Sequence, residues 1–127
     1  MSDIREGLYY HEAHDWLEID GDTGTTGITD YAQAELGDIV FLELPEVGTE
    51  VVLGESYGTI EAVKTVADLL SPATGKVVEI NETLQEDASL VNTDPYGEGW
   101  TIRIRLSDDR EVDELMTPKA YKGFLES

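Results

Sequence analysis

Ser56-Tyr57-Gly58-Thr59-Ile60-Glu61-Ala62-Val63-Lys64-Thr65-Val66-Ala67-Asp68-Leu69-Leu70 is the stretch that decides the fold. Residues 56–63 read as one strand and residues 65–70 as a second, with Lys64 at the junction. A two-residue reversal ordinarily uses Asn-Gly, Asp-Gly or Gly-X, because its backbone needs positive φ. A tip at Val63-Lys64 contains neither glycine nor asparagine. A local rule broken between two regular strands points to function at the break. The same residues also allow one continuous strand, with Lys64 a solvated surface charge.

Outward from this hairpin the chain keeps a β pattern. Trp16-Leu17-Glu18-Ile19-Asp20 alternates at period two, and Gly21-Asp22-Thr23-Gly24 turns it into Thr25-Thr26-Gly27-Ile28. Thr29 or Asp30 is expected to cap a short helix over 31–36, with Gly37 as its left-handed stop. Further strands are expected over 38–44, 49–52, 75–80 and 99–106, separated by turns at Gly48, Gly54, Ser71-Pro72, Asn81-Glu82 and Asp94-Pro95-Tyr96-Gly97. Residues 112–125 have helical spacing, and Thr117-Pro118 breaks that helix or starts a second one. Many short strands with few helices mean a mostly β sandwich or flattened barrel. The C-terminal helical region, about 111–126, is expected to pack Leu115, Tyr121 and Phe124 against it. Segments 47–56 and 80–89 echo one another and flank the hairpin, which suggests two similar halves.

At 127 residues the chain has the size of one domain, expected to span 1–127 with irregular ends. No apolar run is long enough to span a bilayer, and the acidic start lacks the basic region of a secretory signal. A soluble, cytoplasmic, monomeric protein is expected. Cysteine is absent, which removes disulfides, thiolate metal sites and cysteine nucleophiles together.

Acidic residues number 28 against 8 basic ones, a net charge of -20. Nucleic acid and anionic membranes would be repelled, since both require Lys or Arg to neutralise phosphate. The acids are spread along the chain, which favours a surface adapted to molar salt over an acidic docking tail. In molar salt the Debye length falls to roughly 3 Å, so carboxylate repulsion is screened. Marginal stability in dilute buffer is therefore expected.

An exposed lysine on a rigid turn is suited to acylation. Its neutral amine would attack an acyl adenylate made by a partner enzyme, and the resulting amide roots a long flexible arm. Only four lysines occur: Lys64, Lys76, Lys119 and Lys122. One at a strand junction is seldom casual. His11 and His14 beside Asp15 invite a hydrolase reading, but no serine stands in a marked setting and a sequential His-Asp pair has no triad orientation. The carboxylates form no calcium-loop motif, and Asp22-Thr23-Gly24 is turn chemistry. No metal site is expected.

Residues 58–81, centred on Glu61-Ala62-Val63-Lys64 with Asp68 four residues on and then Ser71-Pro72, resemble the lipoyl-attachment region of the glycine cleavage system H proteins. Tyr10 to Trp16, Gly27-Ile28-Thr29-Asp30-Tyr31-Ala32-Gln33, and Leu90 to Trp100 resemble two further family blocks in the right order. The resemblance implies a barrel-sandwich hybrid of the lipoyl/biotinyl carrier type, with a short inner helix and the C-terminal helices. It implies lipoate on Lys64 and recognition of Glu61 by the lipoate-attaching enzyme. It also implies a cleft at Ala13, Asp15 and Asp68 that shields the loaded arm. Ala13 departs from the family's serine, Asp15 from its glutamate, and Ala62 from its frequent serine. The implied role is a carrier without catalysis of its own. Its partners would be glycine decarboxylase (the P protein), aminomethyltransferase (the T protein) and dihydrolipoyl dehydrogenase (the L protein). A lipoyl relay to other enzymes, or a lipoyl or biotinyl domain of another complex, are the sibling readings. Biotin carriers typically flank the lysine with methionine, and dehydrogenase lipoyl domains usually put Asp immediately before it. Val63 and Thr65 stand there instead.

Overall fold

The computed structural model describes residues 3–126. Met1, Ser2 and Ser127, part of the ends expected to be irregular, lie outside them. The start is irregular yet tethered: the Asp3 N–H donates to Asp30 Oδ2 (2.9 Å), and Tyr96 Oη donates to the Asp3 carbonyl (2.6 Å).

In chain order the elements are β1 (Tyr9–Tyr10), β2 (Asp15–Asp20), β3 (Thr23–Ile28), α1 (Asp30–Leu36), β4 (Ile39–Glu43), β5 (Glu50–Val51) and β6 (Ser56–Ala62). There follow β7 (Val66–Leu70), β8 (Gly75–Ile80), α2 (Thr83–Glu86), α3 (Leu90–Thr93), β9 (Ile102–Leu106), a 3-10 turn (Asp109–Glu114) and α4 (Pro118–Glu126). Two antiparallel sheets form, β1-β2-β3-β9-β8-β5 and β4-β6-β7. The mostly β fold is as expected, with Ile28, Leu42, Ile60, Leu69, Val77, Ile102 and Ile104 buried in one core. Burial of such side chains, roughly 1.5–3 kcal/mol each, holds the two sheets together.

Helix α1 begins as its sequence dictates. Thr29 Oγ1 accepts from the Ala32 N–H (3.2 Å), and Gly37 at φ 82 ends the helix. It is less internal than expected: none of its residues is fully buried, although Ala32 and Leu36 pack on the core.

Several expected boundaries shift. The strand expected at 49–52 is Glu50–Val51 alone, and the one expected from Gly99 begins at Ile102. The Gly99 and Trp100 N–H groups are bound by the Asp94 and Gly97 carbonyls, so that segment is still turn. The echo between 47–56 and 80–89 does not make two similar halves: the first copy holds β5, the second holds α2. The C-terminal region is not one helix. Met116 pairs with Tyr10 through backbone bonds of 2.7 and 2.8 Å, holding that segment extended before Pro118 opens α4. Tyr121 is fully buried as expected, in a second cluster with Leu8, Tyr10 and Trp16, whereas Leu115 is half-buried and Phe124 largely exposed.

Candidate functional site

The turn between β6 and β7 is a true reversal, with Glu61 opposite Val66. Val63 and Lys64 do not adopt the positive φ of ordinary hairpin tips. Among described residues, His14 (φ 70) is the non-glycine residue that does so. Backbone tethers replace turn chemistry. The Ala62 N–H donates to the Thr65 carbonyl (2.7 Å), and the Val63 N–H donates to the Asp38 carbonyl (3.0 Å) just before β4. A third strand thus holds a tip that its own residues would not close. Val63 is 76% exposed and Lys64 stands beside it in solvent.

The lysine stem lies along the end of α1, with Cε 3.4 Å and Nζ 3.9 Å from where a Cβ on Gly37 would sit. One residue earlier, Leu36 lines a cleft of about 180 Å³. The first wall of this cleft is Ala13, His14 and Asp15, ahead of or opening β2. Tyr31, Ala32, Glu35 and Leu36 of α1 form the second, and Ala67, Asp68 and Leu69 of the edge strand β7 the third. Ala13, Asp15 and Asp68 therefore meet in one cavity although they are far apart in sequence. Glu61 stands elsewhere. It lies exposed on the outer face of the small sheet, between Phe41 and Val66 in a cross-strand row.

Asp15 has the most unusual environment. It is the one fully buried acid among the described side chains, and its Oδ2 has no hydrogen-bond partner. Burial pushes its carboxyl well above the usual range. Asp68, by contrast, is exposed at the rim. Burial also pulls the His14 imidazole down, with Glu35 opposing that effect. The His14 Nδ1 is 2.8 Å from the Tyr121 hydroxyl, an arrangement unlike that of a hydrolytic triad.

His14, Tyr31 and Glu35 were not anticipated as cleft residues. The signal for the last two lies in α1, where Tyr31, Ala32, Glu35 and Leu36 share one helical face. The positive φ of His14 belongs to the turn between β1 and β2, where its N–H donates to the His11 carbonyl (2.8 Å). Among the described residues no cluster of three or more His, Asp or Glu could hold a metal ion, and no helix is long and apolar enough to cross a membrane.

The chain is similar to known proteins over almost its whole length. The Glycine cleavage H-protein family profile matches residues 8–127. A glycine cleavage system H protein of Carboxydothermus hydrogenoformans is 50% identical over 126 residues, covering 99% of this chain and 97% of that one. A probable glycine cleavage system H protein of Haloarcula marismortui is 43% identical, covering 98% of each. The crystal structure of a glycine cleavage system H protein from Mycobacterium marinum superposes with a TM-score of 0.89 at 40% identity, covering 98% of this chain and 100% of that one. The chain belongs to the glycine cleavage H-protein family.

Proposed function

We propose that this chain is the lipoyl carrier of glycine cleavage, with lipoate in amide linkage to Lys64. It serves glycine decarboxylase, aminomethyltransferase and dihydrolipoyl dehydrogenase in turn, and catalyses no step itself. The observation that carries this reading is the shared end of α1. Lys64 rests on Gly37, and the preceding Leu36 already belongs to the cleft. An arm rooted at Lys64 starts beside the cavity that would shelter its tip.

The residues present fit such an arm. Lipoate would supply a cyclic disulfide that opens on taking up the one-carbon amine left by glycine and stays on the lysine as a dithiol once that amine is passed on. The chain's own part is to bind and shield that amine. Asp15 Oδ2, buried without a partner, offers an acceptor to a protonated amine, and Asp68 adds a second carboxylate at the rim. Ala13, Ile28 and Ile60 contribute apolar lining that keeps water from the loaded end. Outside the cleft, Glu61, flanked by exposed Phe41 (47%) and Val66 (62%), presents a charged and apolar surface for the lipoate-attaching enzyme.

The chain works as a single carrier domain over 1–127, a monomer in the cytoplasm. Its acidic exterior suits a halophilic prokaryote, in keeping with net charge -20. Glycine–bicarbonate exchange with purified glycine decarboxylase tests the function. Lipoylated wild type is expected to support exchange and Lys64→Arg to abolish it. Absence of exchange with fully lipoylated protein would contradict shuttling and favour lipoyl relay.

A further inference from the structure

The two main cleft walls are joined by a side chain from outside the cleft. The Ala32 N–H donates to Thr29 Oγ1 (3.2 Å), Thr29 Oγ1 lies 2.8 Å from Tyr121 Oη, and Tyr121 Oη lies 2.8 Å from His14 Nδ1. Thr29 caps α1, which supplies one wall, and His14 belongs to the other. Their backbones are joined as well, through the Thr29 N–H and the His14 carbonyl (3.0 Å). Tyr121 comes from α4, remote in sequence from both, and is fully buried. Its ring stacks on Tyr10 with centroids 4.5 Å apart and planes within 4°. That stack holds the hydroxyl where it can serve both walls.

One polarity uses every proton in this run. Among the described contacts Tyr121 Oη is the acceptor within reach of the Thr29 hydroxyl proton; with that proton given to Tyr121, the tyrosine proton goes to His14 Nδ1. His14 is then the tautomer with hydrogen on Nε2. His14 holds positive φ as the last residue of the β1–β2 turn, where its N–H donates to the His11 carbonyl (2.8 Å) and the His11 N–H donates to the Asp15 carbonyl (2.9 Å); the run adds a hold on its ring. Asp15 follows directly, so the angle at His14 sets where the buried carboxyl points.

We propose that Tyr121 is a positioning residue. Its hydroxyl, donated to His14 and accepting from Thr29, fixes the two cleft walls so that Asp15 is aimed at the amine of the docked arm. The occupant rests on the proposed lipoyl function, but the alignment of the walls does not.

Two measurements test this. In unmodified wild type, the ring 15N shifts of His14 are expected to report the Nε2–H tautomer at neutral pH. A ring protonated on Nδ1 instead would overturn the proposal. In Tyr121→Phe the stack on Tyr10 remains while the hydroxyl goes. The Asp15 13Cγ and Ala32 amide signals are expected to move, and the loaded protein to lose its one-carbon amine about fivefold faster, the worth of one hydrogen bond. A folded Tyr121→Phe with unchanged cleft signals and unchanged loss rate would overturn it. Should Lys64 prove never to be lipoylated, the function fails, and the tautomer and cleft signals of the unmodified protein still decide the inference. Should the variant not fold, the wild-type tautomer decides it.

Discussion

Lys64 and Gly37 meet at the end of α1, one residue beyond the cleft residue Leu36, with the lysine Cε 3.4 Å from the site a Gly37 Cβ would fill. Gly37 ends α1 at φ 82 and packs beside the lysine stem. Gly37→Ala adopts the positive φ badly, while its methyl would stand in ordinary contact with the lysine stem. It is expected to lose about 1 kcal/mol of stability in denaturant titration, from the positive φ alone. Lipoate attachment to the unmodified variant is expected to be slower as well. Full stability would show that the backbone relaxes around the new side chain.

Burial of Asp15 costs the folded chain stability once its carboxyl is ionised. Its folded carboxyl holds a proton over a window that opens near the unfolded value, about 3.9, and closes at its raised folded value. Within that window the native state binds more protons than the unfolded chain, so this residue's contribution to stability falls as pH rises. Above the window the whole cost is carried. Asp15→Asn is expected to remove that slope and raise stability at neutral pH, on the order of 1 kcal/mol. The same variant is expected to release the loaded arm's amine faster. The readouts are melting temperature against pH and the rate of amine loss.

Ala13 lines the cleft with a methyl group, where the family resemblance implies a serine. Ala13→Ser is expected to add one hydrogen bond to the docked amine, slowing its loss about fivefold. Melting temperature should barely change at this half-buried position. An unaltered loss rate would place the amine out of reach of residue 13.

Except for Asp15, every acid whose side chain is described is at least partly exposed. With net charge -20, melting temperature is expected to climb from dilute buffer to molar KCl, and most of the gain should come as repulsion is screened. A flat response would refute the assignment to high-salt life.

The strands around the site were legible because their signals are local. β7 and β8 fall where alternation places them, and Thr29 and Gly37 bound α1 by capping chemistry alone. What could not be read depends on partners distant in sequence. The tip at Val63 is closed by Asp38, Met116 is held extended by Tyr10, and the His14 ring is held by Tyr121. The same limit applied to the cleft. The family resemblance supplied Ala13, Asp15 and Asp68, yet the burial that sets Asp15 apart from the other acids appears only when β2, α1 and β7 come together.

Intact-mass measurement of protein purified from its native source, followed by peptide mapping, tests the carrier assignment most directly. The account predicts a lipoyl adduct confined to the peptide containing Lys64 and absent from those containing Lys76, Lys119 and Lys122. Unmodified Lys64 in cells that are actively cleaving glycine would contradict it.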